Sequence, residues 1–205
     1  KNFSVFENVI DILGGIDVNV PAVLDDYQYP VDGKETDTCG FSPEDVATKS
    51  ASIIDDQSAV DAFPCRFEHL HFDIGLQHMD GKTALKYVRS RHAISDEGSD
   101  FARSRRQQLV IKAVKDKVLA ANNLLNPLKY IDVLNQFKSH VVTDFDLSRP
   151  DQLIKLGLNY RNSTIKNVFL DLNLLYNPPI DQRGWFLLPI GGNWDEVHKY
   201  IQSQL

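Results

Sequence analysis

The sequence contains only two cysteines, one methionine and no long apolar run. No apolar stretch approaches the ~20 residues that a bilayer-spanning helix needs, so these 205 residues are not expected to cross a membrane. The glycine pattern of a serine hydrolase nucleophile elbow is missing, and so is the lysine pattern of a phosphate-binding P-loop. These absences argue against a serine hydrolase with a nucleophile elbow and against a P-loop phosphate site.

Composition and charge indicate a folded protein with an uneven charge distribution. The chain is 42% apolar and 24% charged, which is typical of a soluble globular domain and excludes disorder as the default. Residues 32–64 carry eight acids and two lysines, so this segment alone accounts for the net charge of −6. Five of the nine arginines lie between residues 89 and 106. A local basic cluster in an acidic chain argues against a nucleic-acid-binding surface.

Apolar periodicity predicts the elements of the first half of the chain. A helix is predicted over 3–13 and a half-buried strand over 16–20. Periodicity then fails from 25 to 64, and we expect a long acidic surface loop there. Another strand is predicted over 67–76, and Asp80 is the expected N-cap of a short helix.

A disulfide is one of two states that the cysteines allow. Cys39 lies within the acidic loop and Cys65 at its end, and the sequence permits either a bridge or two free thiols. If the protein is secreted, we expect the bridge, which would contribute on the order of 3 kcal/mol by restricting the unfolded chain.

Helices and strands alternate in the second half as well. A long helix is expected to begin at Ser99 or Asp100. Strands are predicted over 168–172 and 185–189, and Asn193 is a plausible cap for the last helix. The intermixed pattern predicts an α/β or layered α+β fold, with a central mixed sheet flanked by helices.

The first half of the arginine cluster has two interpretations. Arg89 and Arg91 lie at the end of the short helix, where cations stabilise the negative end of the helix dipole. They are therefore either simple C-terminal caps or part of a binding site.

The second half of the cluster is less easily explained by helix stability. Arg103, Arg105 and Arg106 fall in the first two turns of the long helix, where each cation is disfavoured by ~0.3–1 kcal/mol. Arg103, Arg106 and Gln107 have the spacing of one helix face, and Asp100 is the one acid placed to relieve them. An anionic ligand would satisfy these charges, although a solvated basic face is the alternative.

Phosphate chemistry suits these side chains best. The planar guanidinium fork binds phosphate oxygens at two points, and a cluster of four or five arginines suits a diphosphate better than a monophosphate. Val88, Ile94 and Phe101 lie close by in sequence. We interpret them as core residues, with the lining of an apolar substrate tail as the alternative.

An ordered series of motifs resembles the LytR-CpsA-Psr family of cell-envelope proteins. The series covers roughly residues 2–122, with Ala102 where the family usually has glycine and a slightly longer loop between the arginine blocks. It consists of Asn2-Phe3, Phe6, Val9, Leu13-Gly14-Gly15, Val18-Asn19-Val20-Pro21, Gly75-Leu76, Met79-Asp80-Gly81, Ala84-Leu85, Tyr87-Val88-Arg89-Ser90-Arg91-His92, Ser99-Asp100-Phe101-Ala102-Arg103 and Arg106-Gln107-Gln108.

The resemblance implies an activity and a location. Members of this family transfer a glycopolymer from a polyprenyl-diphosphate carrier to peptidoglycan, with Mg²⁺, at the extracytoplasmic face of the membrane. By resemblance, the residues that contact the diphosphate are Arg89, Arg91, Arg103 and Gln107, with Arg106 nearby. Asp100 would orient the arginines or lie in the second shell of the metal. The prenyl tail would occupy an apolar tunnel between sheet and helices.

The resemblance also implies an upstream part that this sequence does not include. In the family, Asn2-Phe3 lies in the middle of the domain, after a membrane anchor and the aspartates that bind the metal. We therefore interpret 1–122 as the C-terminal portion of the catalytic domain, with the acidic segment 25–64 as an insertion. Residues 123–205 would pack on the same domain. We expect either a longer natural chain or a companion chain, and we expect these residues alone to be inactive.

Two other functions share the same site. A non-catalytic module could hold a polyprenyl phosphate or an anionic polymer, and a diphosphate hydrolase would use water in place of the sugar acceptor.

A metal site is a separate question. His69 and His71 share one strand face near His78, but no third zinc ligand of fitting spacing is evident, which favours a solvated face. Asp25-Asp26 and the acidic loop are likewise better explained as charged surface than as a cation site.

Overall fold

The chain is described here by a computed structural model, which divides it into two units, Lys1–Arg161 and Asn162–Leu205. The described residues are 3–120, 132–133, 155, 159 and 163–204, the last range without 164, 167, 181, 183 and 185. The sequence also predicts a helix from Asn126-Pro127 to Phe137 and a shorter one that begins at Ser148 and Pro150. Apart from residues 132, 133, 155 and 159, these stretches lie outside the described residues. The predicted division at residue 122 falls there too, and it stays a prediction.

The first unit alternates short helices and strands before one long helix. Its named elements are α1 (Ser4–Ile12), β1 (Ile16–Val20), β2 (Leu24–Pro30), α2 (Pro43–Ala51), α3 (Asp56–Ala62), β3 (Phe67–Phe72), β4 (Gly75–Met79), α4 (Gly81–Arg89) and α5 (Asp100–Leu119). Single turns of 3₁₀ helix precede β3 at Pro64–Arg66 and α5 at Ser95–Gly98.

The described strands of this unit pair two by two and antiparallel. β1 pairs with β4, with Ile16 opposite Met79, and β2 pairs with β3, with Leu24 opposite Phe72. The strand predicted over 67–76 is therefore two strands. The change of partner occurs just before Gly75, whose φ of +110° lies in a region that glycine adopts most readily.

The core lies where α5 and α4 meet β1. Strand β1 alternates buried and exposed residues, so Ile16, Val18 and Val20 all face inward. Val110 and Ala113 of α5 pack in the same cluster. This packing holds the first turns of α5 close to the end of α4, and both of these segments carry arginines.

Close approach between α1 and α4 requires glycine at the start of α4. A Cβ on Gly81 would collide with the backbone carbonyl of Glu7. The Gly81 amide also donates to the Asp11 carboxylate at 2.7 Å. Together these contacts fix where α4 begins and, eight residues on, where Arg89 ends it.

Asp80 is the N-cap of α4, as the sequence predicts. Its carboxylate accepts a hydrogen bond from the Thr83 amide at 2.7 Å. The Thr83 hydrogen bonds hold the pKa of Asp80 below its ordinary value of 3.8. The ionised cap therefore stabilises the fold fully above that ordinary pKa, and this contribution is lost as the pH falls through the lower pKa of the folded state.

Replacing Asp80 with alanine is expected to lower the free energy of unfolding at pH 7 by about 1 kcal/mol. Urea denaturation at pH 7 and at successively lower pH measures this difference, which should shrink below pH 3.8. Asp80→Asn is the matched control, since an amide oxygen can cap the helix without titrating. A difference for Asp80→Ala that does not change with pH would contradict the ionic cap.

The acidic segment differs from the expected loop. Its first residues form β2, and α2 and α3 follow, so 25–64 is only partly irregular. Both helices begin with a side-chain cap, Ser42 for α2 and Asp55 for α3. Their short length and lack of a wide apolar face explain why periodicity did not reveal them.

The two cysteines form a disulfide in the structure. Cys39 and Cys65 are bridged, with their Cα atoms 5.6 Å apart. The bridge joins the start of the segment that holds α2 and α3 to the turn that enters β3.

The second unit is small. Its described strands β5 (Leu175–Tyr176) and β6 (Leu188–Pro189) pair antiparallel, and α6 (Asp195–Gln204) follows. Asn193 accepts a hydrogen bond from the Asp195 amide at 3.0 Å, which agrees with the predicted cap. The strand predicted over 168–172 is wrong, because these described residues are not part of a strand.

The fold class is confirmed as mixed α/β. Helices and short sheets alternate in the first unit, as the sequence pattern predicts, but the described strands form separate antiparallel pairs where one central mixed sheet was expected. Among the residues that the structure describes, no helix has both the length and the apolar composition needed to cross a bilayer.

Candidate functional site

Arg89 and Arg91 lie on a segment that is anchored to β2 by a buried carboxylate. Asp26 is fully buried and accepts hydrogen bonds from the Ser90 hydroxyl at 2.7 Å and from the His92 amide at 3.3 Å. Two residues further on, the Ile94 amide donates to the Asp25 carbonyl at 2.8 Å. The loop after α4 is therefore held as an additional edge on β2.

Arg103 and Arg91 share one carboxylate across two elements. Ser99 caps α5 by accepting from the Ala102 amide, which places Asp100 at the first position of the helix. An Asp100 carboxylate oxygen lies 2.8 Å from Arg103 Nη1 and 3.8 Å from Arg91 Nη2. This carboxylate thus brings together an arginine of α5 and an arginine of the loop after α4.

Arg89 joins the same region from the end of α4. Its guanidinium stacks over the Phe3 ring at 4.9 Å and lies 3.4 Å from the Asp32 carboxylate. The side chain is about one-third exposed. Phe3 and Asp32 therefore hold the Arg89 guanidinium in place, and the group remains accessible to a ligand.

These side chains line one cleft with a volume of about 730 Å³. Arg89, Arg91, Arg103 and Gln107 all contribute to its wall, so the structure brings together four of the predicted site residues. The lining includes three arginines and the Asp26 carboxylate, while Asp32 and Asp100 contact the arginines from outside the lining. The remaining wall is largely apolar and is formed by Phe3, Phe6, Tyr29, Pro30, Leu85, Val88, Val110 and Ile111.

The apolar residues proposed from the sequence have different positions. Val88 belongs to the hydrophobic core and also lines the cleft. Ile94 is 58% exposed and does neither. Tyr29 is a buried lining residue, and burial raises the pKa of its phenol to about 12.

Arg106 does not lie with the other arginines, and this corrects the sequence interpretation. Its guanidinium is fully buried and donates to the carbonyls of Tyr87 at 3.0 Å, Ser90 at 2.6 Å and Glu97 at 2.6 Å. Burial lowers its pKa from the ordinary value, against the opposing effect of Glu97. Arg106 thus ties the end of α4 to the start of α5 and is not a lining residue of the cleft.

Glu97 pairs with two of the arginines for which the sequence showed no anionic partner. Its buried carboxylate pairs with Arg106 at 3.2 Å and with Arg105 at 2.7 Å. A ligand is therefore not needed to relieve those two arginines. Arg89, Arg91 and Arg103 remain as the cations available to an anion in the cleft.

Sequence reasoning missed Asp26 and Glu97. Asp26 was interpreted as surface charge, because the register shift between Asp26 and Tyr29 breaks the alternation that would have revealed β2 as a strand. Glu97 carried no local signal, because its partners Arg105 and Arg106 are reached only when the 3₁₀ turn folds back on α5.

The first unit is thus a mixed α/β fold that carries an arginine-lined cleft beside a largely apolar wall. The chain matches the LytR_cpsA_psr family over residues 2–177 and belongs to that family.

Two curated relatives carry names of the same kind. Polyisoprenyl-teichoic acid–peptidoglycan teichoic acid transferase TagV of Bacillus subtilis (strain 168) is 26% identical over 200 residues, which are 94% of this chain and 48% of TagV. The TagU enzyme of the same description from Bacillus cereus is 29% identical over 153 residues, which are 73% of this chain and 45% of TagU. The chain therefore spans about half the length of these relatives.

Solved structures support the fold. The crystal structure of B. subtilis TagV aligns with a TM-score of 0.56 at 21% identity, over 100% of this chain and 61% of that one. The crystal structure of B. subtilis TagU aligns with a TM-score of 0.52 at 19% identity, over 100% and 62%.

Proposed function

We propose that the protein moves a glycopolymer from a polyprenyl-diphosphate carrier to peptidoglycan in the cell envelope. The observation that carries this proposal is the convergence of Arg89, Arg91 and Arg103 on a cleft whose other wall is apolar. Such a cleft has a place for a diphosphate and a place for the start of a prenyl chain. Family membership and the names of the relatives support the same activity.

The chemistry is transfer at the phosphorus that carries the glycopolymer. A peptidoglycan hydroxyl attacks this phosphorus, its proton leaves to solvent or a base, and a new phosphodiester forms. The bond to the bridging oxygen of the diphosphate breaks, and polyprenyl monophosphate departs. Negative charge on the phosphate oxygens must be stabilised throughout, which is how fixed cations accelerate phosphoryl transfer.

The residues of this chain divide that task. Arg89, Arg91 and Arg103 hold the diphosphate oxygens, because their forks are suited to two-point contact. Gln107, one turn beyond Arg103 on the same face of α5, donates an uncharged hydrogen bond. Asp100 orients Arg91 and Arg103 from outside the diphosphate.

Mg²⁺ is part of the proposal, but the described residues do not form its site at the cleft. Hard Mg²⁺ prefers an octahedral set of oxygens. Asp100 is engaged by two arginines and Asp26 by Ser90 and His92, and no group of three carboxylates gathers there among the described residues. No step is therefore assigned to the metal through these side chains.

The proposed location is the outer face of the cell membrane, where the carrier and peptidoglycan meet. Peptidoglycan and the carrier-linked glycopolymer are the proposed partners. No nucleic-acid role is proposed, since the positive charge of the cleft is confined to three side chains.

A reconstituted transfer assay tests this function. The complete protein is incubated with Mg²⁺, peptidoglycan sacculi and a polyprenyl-diphosphate carrier bearing a labelled glycopolymer. We expect label to become covalently attached to the sacculi and polyprenyl monophosphate to be released in equal amount. A parallel reaction with the 205 residues alone tests whether they are inactive by themselves.

Other products would contradict the transferase. Label that stays on the carrier while remaining bound to the protein would identify a binding module. Label released as a free polymer phosphate, with nothing attached to sacculi, would identify a diphosphate hydrolase.

A further inference from the structure

Three potential ligands gather on the outer face of the β2–β3 pair. His69 and His71 alternate with buried Leu70 and Phe72, so both imidazoles point away from the core. Asp25 lies directly opposite His71 in the register. Asp25 and Asp26 point to opposite faces of β2, so this group is separate from the cleft that Asp26 lines.

The three ligand atoms are already close together. Asp25 Oδ1 lies 2.9 Å from His69 Nε2 and 2.7 Å from His71 Nδ1, and all three atoms lie within 4.8 Å of one another. In a tetrahedral zinc site with bonds of ~2.0–2.1 Å, ligand atoms are about 3.3 Å apart. Side chains that are 27–43% exposed can make this small adjustment without disturbing the core.

We propose that Asp25, His69 and His71 form a binding site for Zn²⁺ or a similar borderline divalent cation, with a water molecule in the fourth position. Two imidazoles and one carboxylate form a ligand set typical of zinc, whereas Mg²⁺ prefers oxygen ligands. The strand pairing supplies the third ligand that spacing along the sequence did not reveal. A bound ion would link β2 to β3 on one face of the strands. The Asp26 carboxylate, which holds the loop that carries Arg91, lies on the other face.

The surroundings of His71 match those of a metal-ligating imidazole. A histidine ligand usually gives its other ring nitrogen to a carboxylate or carbonyl, which fixes its tautomer and orientation. The Nε2 atom of His71 lies 3.2 Å from the Asp73 carboxylate. The ring of His69 is stacked flat on Tyr27, with centroids 3.9 Å apart.

A neighbouring strand pair provides a natural control. His78 on β4 lies 2.7 Å from the Asp17 carboxylate and is similarly exposed. Within the described residues, these two side chains do not belong to a group of three ligands. One imidazole and one carboxylate bind zinc far more weakly than a set of three, so His78 should be irrelevant to the site.

The test is a titration of the purified, chelator-treated, tag-free chain with zinc chloride by isothermal calorimetry. We expect one equivalent to bind. Asp25→Asn and His71→Gln should each weaken binding by more than ~10-fold, and Asp73→Ala by ~10–100-fold, since it removes the partner of the ligating ring. His78→Gln should leave the affinity unchanged. Circular dichroism of each variant, which changes only exposed or half-exposed side chains, checks that the fold is retained.

Cobalt provides a second measurement. Co²⁺ should occupy the same site and give visible absorption bands that zinc chloride abolishes and magnesium chloride does not. Absence of zinc binding would overturn the proposal. Equal binding in the chain and the Asp25 and His71 variants, or a loss in His78→Gln as large as theirs, would overturn it as well.

Discussion

Replacing Arg106 with methionine is expected to lower the free energy of unfolding by about 3–5 kcal/mol. The methionine fills a similar volume, so the loss comes from the hydrogen bonds. The carbonyls of Tyr87, Ser90 and Glu97 would each remain buried without their present donor, which costs about 1–3 kcal/mol for each unsatisfied group. Denaturation by urea with far-UV circular dichroism measures the change.

Arg105→Met is the matched control for this variant. Arg105 contacts the same Glu97 carboxylate, but its side chain is 45% exposed. Arg105 is open to solvent, and Glu97 keeps its pair with Arg106 in this variant, so the control should lose only about 1 kcal/mol. Equal stability of the two variants would contradict the assignment of Arg106 to the fold.

Replacing Arg103 with alanine is expected to reduce the rate of glycopolymer transfer by about 10²–10³-fold, with little change in stability. This is the loss typically seen when one fixed donor to a developing charge is removed. Arg103 is positioned by Asp100 and lines the cleft without supporting the core, so the fold should remain. The initial rate of label transfer to sacculi by the complete protein measures the effect.

Lys112→Ala controls for the removal of one positive charge from the same helix. Lys112 pairs with Asp116 on the exposed face of α5 and does not line the cleft. The Lys112→Ala variant should transfer the glycopolymer at the parental rate. Arg103→Lys should fall between the two, because it keeps the charge and loses the planar fork. A transfer rate that is insensitive to Arg103 would remove this residue from the site.

Local sequence patterns predicted the strand and the helices that position the cleft. The alternation of Ile16, Val18 and Val20 indicated β1, and Asp80 and Ser99 marked the starts of α4 and α5. Each of these signals depends on residues within one turn or one strand. They were sufficient to place Arg89 at a helix end and Arg103 near a helix start.

Contacts between distant segments could not be predicted from such local patterns. Arg103, Arg106 and Gln107 have the spacing of one face, but i+3 and i+4 neighbours lie on opposite sides of a residue along the helix. On α5, Gln107 reaches the cleft and Arg106 turns into the core. Only the packing of α4 against α5 determines which side is buried.

The ligands of the proposed zinc site illustrate the same limit. His69 and His71 were visible as a pair on one strand face. Asp25 lies more than 40 residues earlier, in a segment whose irregular pattern concealed a strand. The third ligand becomes apparent only from the register between β2 and β3.

A crystal structure of the chain with a short prenyl diphosphate tests the central claim most directly. We predict electron density for the two phosphates between the guanidinium groups of Arg89, Arg91 and Arg103, with the prenyl chain along Phe6, Leu85 and Val110. A diphosphate bound elsewhere, or these three guanidinium groups directed into solvent beside an empty cleft, would contradict the account.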